Sequence, residues 1–105
     1  MKIEILYFDD CPSWNEGLAN MKVALSKEKL SFEINLVLVK DDEQAGSLKF
    51  LGSPSFRING MDLWPEQREH YALGCRVYAT PEGLKGVPTI DALRQKIRAY
   101  IQQSQ

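Results

Sequence analysis

The sequence predicts an α/β domain in which four strands form one mixed sheet flanked by helices. Short β-branched and aromatic runs alternate with stretches of helical apolar spacing, in the order β-α-β-α-β-β-α. The chain has 105 residues, of which 44% are apolar. This number of apolar residues is enough for the core of one domain and too small for two. We therefore expect a single domain over residues 1–105, with the first two strands parallel because a helix joins them.

The first strand and the first helix follow from the N-terminal sequence. Residues 2–8 are apolar on both faces after Glu4, as in a central strand that is covered on both sides. Pro12 suits the first turn of a helix, where its missing N–H breaks no hydrogen bond. This helix should end near Lys29. Its apolar stripe consists of Trp14, Leu18, Met21 and Leu25.

The second strand and the second helix come next along the chain. Residues 32–39 predict the strand because alternate positions on one face are apolar. Asp41 is expected to cap the helix, and Gln44 to complete a capping box. Gly46 weakens the helix. Its residues facing the sheet would be Ala45, Leu48 and Leu51.

The third and fourth strands are predicted to pair as an antiparallel hairpin. Residues 52–54 break the second helix, and residues 55–58 then alternate as the third strand. Residues 59–60, Asn-Gly, are a strong tight-turn signal. Residues 76–79 predict the fourth strand, which leaves residues 61–74 as an irregular insertion between the two strands.

The last helix follows a turn at residues 80–83. Thr89 is expected to cap it, and Asp91 in its first turn suits the positive end of the helix dipole. Its apolar stripe consists of Ile90, Leu93, Ile97 and Ile101.

Charge and cysteine content exclude several classes of function. Thirteen basic against fourteen acidic residues leave no electrostatic basis for binding nucleic acid or an anionic membrane. No apolar stretch approaches the ~18–20 residues needed to span a bilayer. The N-terminus lacks the pattern of a signal peptide, and two cysteines cannot form a disulfide scaffold. We therefore expect a protein of the reducing cytoplasm.

Three short segments carry a family resemblance. Residues 11–14 read Cys-Pro-Ser-Trp at the junction of the first strand and first helix. Residues 53–55 read Ser-Pro-Ser at the start of the third strand, and residues 86–89 read Gly-Val-Pro-Thr before the last helix. Together these segments resemble the thioredoxin-like superfamily. The resemblance implies the minimal thioredoxin-like fold and a cis peptide bond between Ser53 and Pro54.

A narrower resemblance rests on three longer segments. Residues 7–14, 50–55 and 74–78 resemble a small bacterial group, the DF family (seleno)proteins, some of which are labelled alkylmercury lyase-like. Some members carry selenocysteine, which the resemblance implies at the position of Cys11. The group has no firmly established reaction, so the resemblance predicts the fold better than the function.

The motif at Cys11 differs from those of the better-known thioredoxin-like proteins. Dithiol thioredoxins have Cys-x-x-Cys, whereas the fourth position here is Trp14, so the usual resolving cysteine is absent. Monothiol glutaredoxins have Cys-Pro-x-Ser, whereas Ser13 directly follows the proline here. The sequence therefore predicts a single reactive thiol and no cofactor.

Cys11 is the candidate nucleophile, since a cysteine at a helix N-terminus ionises more readily than a free thiol. Unpaired N–H groups of the first turn, with the Ser13 hydroxyl, are expected to solvate the sulfur anion. Asp9 and Asp10 oppose ionisation by like charge, or one of them accepts the proton. The alternative is a buried structural cysteine.

Cys75 is a candidate second thiol. Simple hairpin geometry places it at the far end of the sheet from Cys11, whereas a disulfide requires Cα atoms within ~7 Å. Direct contact would need the insertion to fold back over residues 11–14. A resolving role, a shared soft metal and a packed structural thiol are the three alternatives.

The insertion carries a candidate lid. Trp64, His70 and Tyr71 would either cover Cys11 or seal one end of the sheet. His70 is the only histidine, so a histidine-rich zinc site is excluded. Trp14, by contrast, is expected to pack. Arg57 and Arg76 are either contacts for an anionic substrate or part of an exposed cross-strand face.

Three functions are consistent with these residues. The first is a thiol oxidoreductase in which Cys11 attacks a disulfide, a peroxide or another soft electrophile. Its supporting residues would be Pro12, Ser13, Trp14, Ser53 and Pro54. An external thiol, from a small molecule or a partner protein, would then resolve the intermediate. The second is a non-enzymatic binding module or homodimer. The third is a site for mercury or copper(I) between Cys11 and Cys75.

Overall fold

Four strands form the central sheet of the computed structural model, which describes residues 1–103. They are β1 (Ile3–Tyr7), β2 (Ile34–Leu38), β3 (Ser55–Ile58) and β4 (Met61–Asp62), in the spatial order β2-β1-β3-β4. Strand β1 is parallel to β2 and antiparallel to β3, and β3 is antiparallel to β4. The prediction of an α/β protein with a mixed four-stranded sheet is confirmed, as is the central position of the first strand.

Three helices cover the two faces of this sheet: α1 (Trp14–Lys27), α2 (Asp42–Leu48) and α3 (Ile90–Gln103). Helices α1 and α3 pack on one face. The larger core cluster between them and the sheet includes Ile3, Ile5, Met21, Phe56, Leu93 and Ile97. Helix α2 covers the other face over Leu6, Val39, Ala45 and Phe50. No helix within residues 1–103 is long and apolar enough to cross a membrane.

Two of the predicted helix caps are confirmed. The Asp41 carboxylate accepts the Gln44 amide at 2.8 Å, and the Thr89 hydroxyl accepts the Ala92 amide at 3.0 Å. Each bond satisfies one of the unpaired N–H groups of a first turn, which is worth about 1 kcal/mol. Helix α2 ends at Leu48 because Lys49 adopts the left-handed conformation, so the predicted inclusion of Leu51 is wrong.

The start of α1 also differs from the prediction. The helix begins at Trp14, with Ser13 as its N-cap, so Pro12 lies in the preceding turn and not in the first helical turn. This moves the first-turn amides away from Cys11.

The fourth strand is not the one predicted. The partner of β3 is β4, joined to it by the turn at Asn59 and Gly60, whose φ angles of 52° and 83° are those of a tight hairpin. Closing this short loop costs less entropy than closing one across residues 61–74. The edge of β3 is therefore occupied by the residues that come next in sequence.

The predicted fourth strand belongs to a separate hairpin. Strand β5 (Tyr78–Thr80) pairs with β6 (Gly83–Lys85) and not with β3. The irregular segment accordingly follows the fourth strand of the sheet, over residues 63–77, and connects it to the hairpin. Near its end this segment returns to the start of β3, where Ser53 and Cys75 form a parallel β-bridge. This return brings Cys75 close to the turn that contains Cys11.

Candidate functional site

Cys11 lies in the turn between β1 and α1, and its side chain is buried, with 2% exposure. Its backbone amide donates to the Phe8 carbonyl at 3.1 Å, and its thiol donates to the Ser53 carbonyl at 3.4 Å. A bond to a carbonyl requires the proton of the thiol. The observed partner is thus an acceptor, whereas the sequence predicted helix amides that would solvate a sulfur anion. The difference arises because α1 begins three residues after Cys11.

The other residues of the motif pack against neighbouring elements. Ser13 was expected to help solvate the sulfur, but its hydroxyl lies against Gly86, so closely that a Cβ at that glycine would clash with the Ser13 oxygen. Trp14 stacks on Tyr7 with ring centroids 4.3 Å apart, which confirms its predicted packing role. Pro12 is exposed beside the buried Cys11.

The loop opposite Cys11 contains a cis peptide bond between Ser53 and Pro54, as the resemblance implied. Ser53 is fully buried, and its hydroxyl accepts the Phe8 amide at 3.4 Å. Its carbonyl accepts both the Cys11 thiol and the Arg76 amide, the latter at 3.0 Å. One backbone oxygen therefore joins the motif of Cys11 to the segment that carries Cys75.

Cys75 lies beside the Cys11 turn, on the other side of Ser53, which corrects the prediction that it would be at the far end of the sheet. The Ser53 amide donates to the Gly74 carbonyl at 2.8 Å, so the bridge fixes residues 74–76 beside the Cys11 turn. Desolvation of the thiol, then its hydrogen bond with Cys11 and the charge of Cys11, raise the pKa of Cys75. Both cysteines are free thiols, and Cys75 is the exposed one of the pair.

A buried ion pair anchors the segment next to Cys75. Arg76 is 5% exposed, and its guanidinium lies 2.9 Å from the carboxylate of Asp62, which is on β4. The same group donates to the Ser55 hydroxyl at 3.2 Å and lies over the Tyr78 ring. Arg76 is thus fully engaged inside the protein and is not a contact for an anionic substrate.

Gly52 allows residues 74–76 to lie close to the loop that precedes β3. Its φ of +113° is a backbone angle that residues other than glycine rarely adopt. A Cβ at this position would lie 2.9 Å from Arg76 Cβ. The second arginine, Arg57, also has an internal role, because it donates to the carbonyls of Leu48 and Lys49 at the end of α2. Neither arginine provides the exposed cationic face considered from the sequence.

The three candidate lid residues do not form one lid. Trp64 packs edge-on against Phe56 and Tyr78, on the face covered by α1 and α3. Tyr71 packs against the core cluster of the opposite face, and His70 is exposed. The aromatic rings are drawn into the two cores because burial of each removes a large apolar area from water. Residues 74–76 are the part of the segment that lies beside Cys11.

A hollow of about 270 Å³ opens at the carboxyl ends of β1 and β2, and residues 8–10, which directly precede Cys11, form part of its wall. Its lining residues are Phe8, Asp9, Asp10, Leu38, Val39, Lys40 and Leu73. Leu73 is held there by its amide, which donates to the Asp42 carboxylate at 2.9 Å. Within residues 1–103, histidine, cysteine, aspartate and glutamate form no group of three or more that could hold a metal ion.

The fold and the site define an α/β protein in which two free thiols meet beside a cis-proline loop. Comparison of the chain with protein-family models, with curated proteins and with solved structures finds no match in any of the three. Sequence reasoning identified Cys11, Pro54 and Cys75 separately. It missed the anchoring roles of Gly52 and Asp62, for which the Gly-Ser-Pro break was the one available signal.

Proposed function

We propose that the chain is a thioredoxin-like thiol–disulfide redox protein whose reacting groups are Cys11 and Cys75. The observation that carries the proposal is that both cysteines meet at Ser53: the Cys11 thiol donates to the Ser53 carbonyl, and Cys75 forms a β-bridge with the same residue. Two adjacent thiols can be oxidised to one internal disulfide without an external resolving thiol. A reducing cytoplasm would return the pair to the thiol state, which fits the cellular location that we propose.

The reaction is an exchange in two steps. The thiolate of one cysteine attacks a sulfur of a substrate disulfide, which forms a mixed disulfide and releases the first substrate thiolate. The thiolate of the second cysteine then attacks the protein sulfur of that mixed disulfide, which forms the Cys11–Cys75 bond and releases the second substrate thiolate. The two protein thiols together give up two electrons and two protons. These reduce one substrate disulfide to two thiols.

Accessibility assigns the two roles. The attacking sulfur must lie in line with the disulfide bond that breaks, so a substrate has to reach it from solvent. Cys75 is exposed, whereas Cys11 is only 2% exposed. Cys75 is therefore the attacking thiol and Cys11 the resolving one. This revises the single nucleophile at Cys11 that the sequence suggested. The raised pKa of Cys75 keeps its thiolate scarce near neutral pH, so turnover should quicken as the pH rises.

Thiol counting and mass spectrometry test the proposal with bis(2-hydroxyethyl) disulfide as the oxidant. The wild type should lose both thiols and two hydrogens of mass, with no adduct. Cys11→Ser should retain a mercaptoethanol adduct on Cys75, and Cys75→Ser should react slowly. A stable adduct on the wild type, or two surviving thiols, would contradict the proposal.

Binding of a soft metal ion is the second candidate, and the same contact favours it. Two thiolates side by side suit a two-coordinate soft cation such as copper(I) or mercury(II). Equilibrium dialysis should then give one ion per chain, lost in both Cys11→Ser and Cys75→Ser. Binding that survives either substitution would place the ion elsewhere.

A further inference from the structure

We infer that the thiol pair selects cationic disulfides, such as a protein disulfide flanked by basic residues, over anionic small-molecule disulfides. The inference rests on the proposed redox function and concerns the charges that surround the exposed sulfur. It names a substrate class that the two cysteines by themselves leave undefined.

Two carboxylates come with the Cys11 turn. Asp9 and Asp10 are exposed, directly precede Cys11 and line the hollow at the carboxyl ends of β1 and β2, together with Leu73. The turn is closed by the bond from the Cys11 amide to the Phe8 carbonyl, which holds the backbone of both aspartates next to Cys11. Consecutive Cα atoms are ~3.8 Å apart, so both residues lie about one screening length or less from Cys11 at physiological salt.

A third carboxylate lies on the side of Cys75. Asp42, at the start of α2, accepts the amide of Leu73 at 2.9 Å, two residues before Cys75. This bond comes from a neutral amide, so it leaves the negative charge of Asp42 in place. Asp42 is exposed, so its charge acts through solvent on a charged ligand that approaches the segment of Cys75.

Positive charge does not balance these groups. Arg76, directly after Cys75, is buried and paired with Asp62, so its charge is neutralised inside the protein. Lys40 is the cation that lines the same hollow. Asp9 and Asp10 at the hollow and Asp42 beside Leu73, counted against the Lys40 ammonium, leave two net negative charges around the segments that carry the thiols. An approaching cation is attracted there, and an anion is repelled.

Three disulfides of similar length test the inference: cystamine, which is cationic, bis(2-hydroxyethyl) disulfide, which is neutral, and 3,3′-dithiodipropionate, which is anionic. The second-order rate of thiol loss is measured for each and divided by the rate of the same disulfide with 2-mercaptoethanol, which removes intrinsic reactivity. At ~10 mM salt we expect the cationic-to-anionic ratio to be on the order of ten. At ~500 mM salt the ratio should fall towards one.

A matched pair of variants assigns the effect to the aspartates. Asp9→Asn should lower the cationic-to-anionic ratio at low salt by roughly three- to fourfold, because one of two net charges is removed. Glu33→Gln makes the same charge change on an exposed residue before β2, at the other end of the sheet, and should leave the ratio unchanged.

The outcomes separate this inference from the proposed function. Equal normalised rates for the three disulfides, independent of salt, would overturn the charge selectivity and leave the redox function standing. An unchanged ratio in Asp9→Asn would overturn it as well. Failure of the neutral disulfide to form the internal bond would overturn both.

Discussion

The thiol of Cys11 donates a hydrogen bond to the backbone carbonyl of Ser53 at 3.4 Å. The same oxygen accepts the amide of Arg76 at 3.0 Å, so a single buried acceptor links the two cysteine-bearing segments. Because this acceptor belongs to the cis-proline loop, the relative position of the two segments depends on residues that contact neither sulfur, such as Gly52.

Gly52→Ala should destabilise the protein and separate the thiols. The added Cβ would lie 2.9 Å from Arg76 Cβ, at a φ of +113°, and we expect a loss of about 1–3 kcal/mol in the free energy of unfolding. Urea denaturation measures that loss, and the yield of the internal disulfide measures the separation.

Gly46→Ala is the matched control for this substitution. A Cβ at that position, inside α2, would meet nothing within 4 Å, so the change should stabilise the protein by about 0.5–1 kcal/mol. Equal effects of the two alanines would show that the approach of Arg76 does not limit the fold.

Asp62→Asn should be among the most destabilising polar substitutions in the chain. It removes the anion from a buried pair and leaves the Arg76 guanidinium without a counter-charge, at a cost of about 3–5 kcal/mol. Thermal or urea unfolding gives the value. Asp91→Asn is the comparison, because that carboxylate is 84% exposed and should change stability by less than ~0.5 kcal/mol.

Alkylation of Cys75 should shift with pH when Cys11 is replaced. Desolvation, then the hydrogen bond with Cys11 and its charge, raise the pKa of Cys75, so its thiolate forms only at high pH. Cys11→Ser removes the charge and should move the rate profile for iodoacetamide, followed on the Cys75 peptide, to lower pH. A profile that coincides with that of the wild type would contradict contact between the thiols. In urea, both proteins should titrate as ordinary thiols.

Acid should reveal a second ionic cluster, between α1 and α3. Hydrogen bonds from Arg98 and Arg94 lower the pKa of Glu28 from 4.5 to about 2. A carboxyl group with a lowered pKa stabilises the fold above its unfolded pKa, and that contribution is lost as the pH falls from about 4.5 towards 2. The difference in unfolding free energy between wild type and Glu28→Gln should therefore shrink over this interval. A difference that stays constant down to pH ~2 would show that Glu28 acts through packing alone.

Much of the architecture could be predicted because its signals are local. The apolar run at residues 2–8 predicted a central strand, and Asp41 and Thr89 predicted the starts of two helices, which the structure confirms. The prediction of the fourth strand was wrong because a pairing over a two-residue turn competed with one across a long insertion. The turn at residues 59–60 was correctly identified, but its consequence, that β4 occupies the place predicted for residues 76–79, was missed.

The sequence by itself determined the class of fold and offered the two thiols as candidates, since periodicity, turn residues and motifs act over a few positions, whereas the cis-proline loop was implied by the family resemblance. Only the tertiary structure decided that Cys75 meets Cys11 and that Cys11 is the buried member of the pair. The path of residues 63–77 has no periodic pattern. It is fixed by contacts between residues distant in sequence, above all the buried pair of Arg76 and Asp62 and the close approach at Gly52.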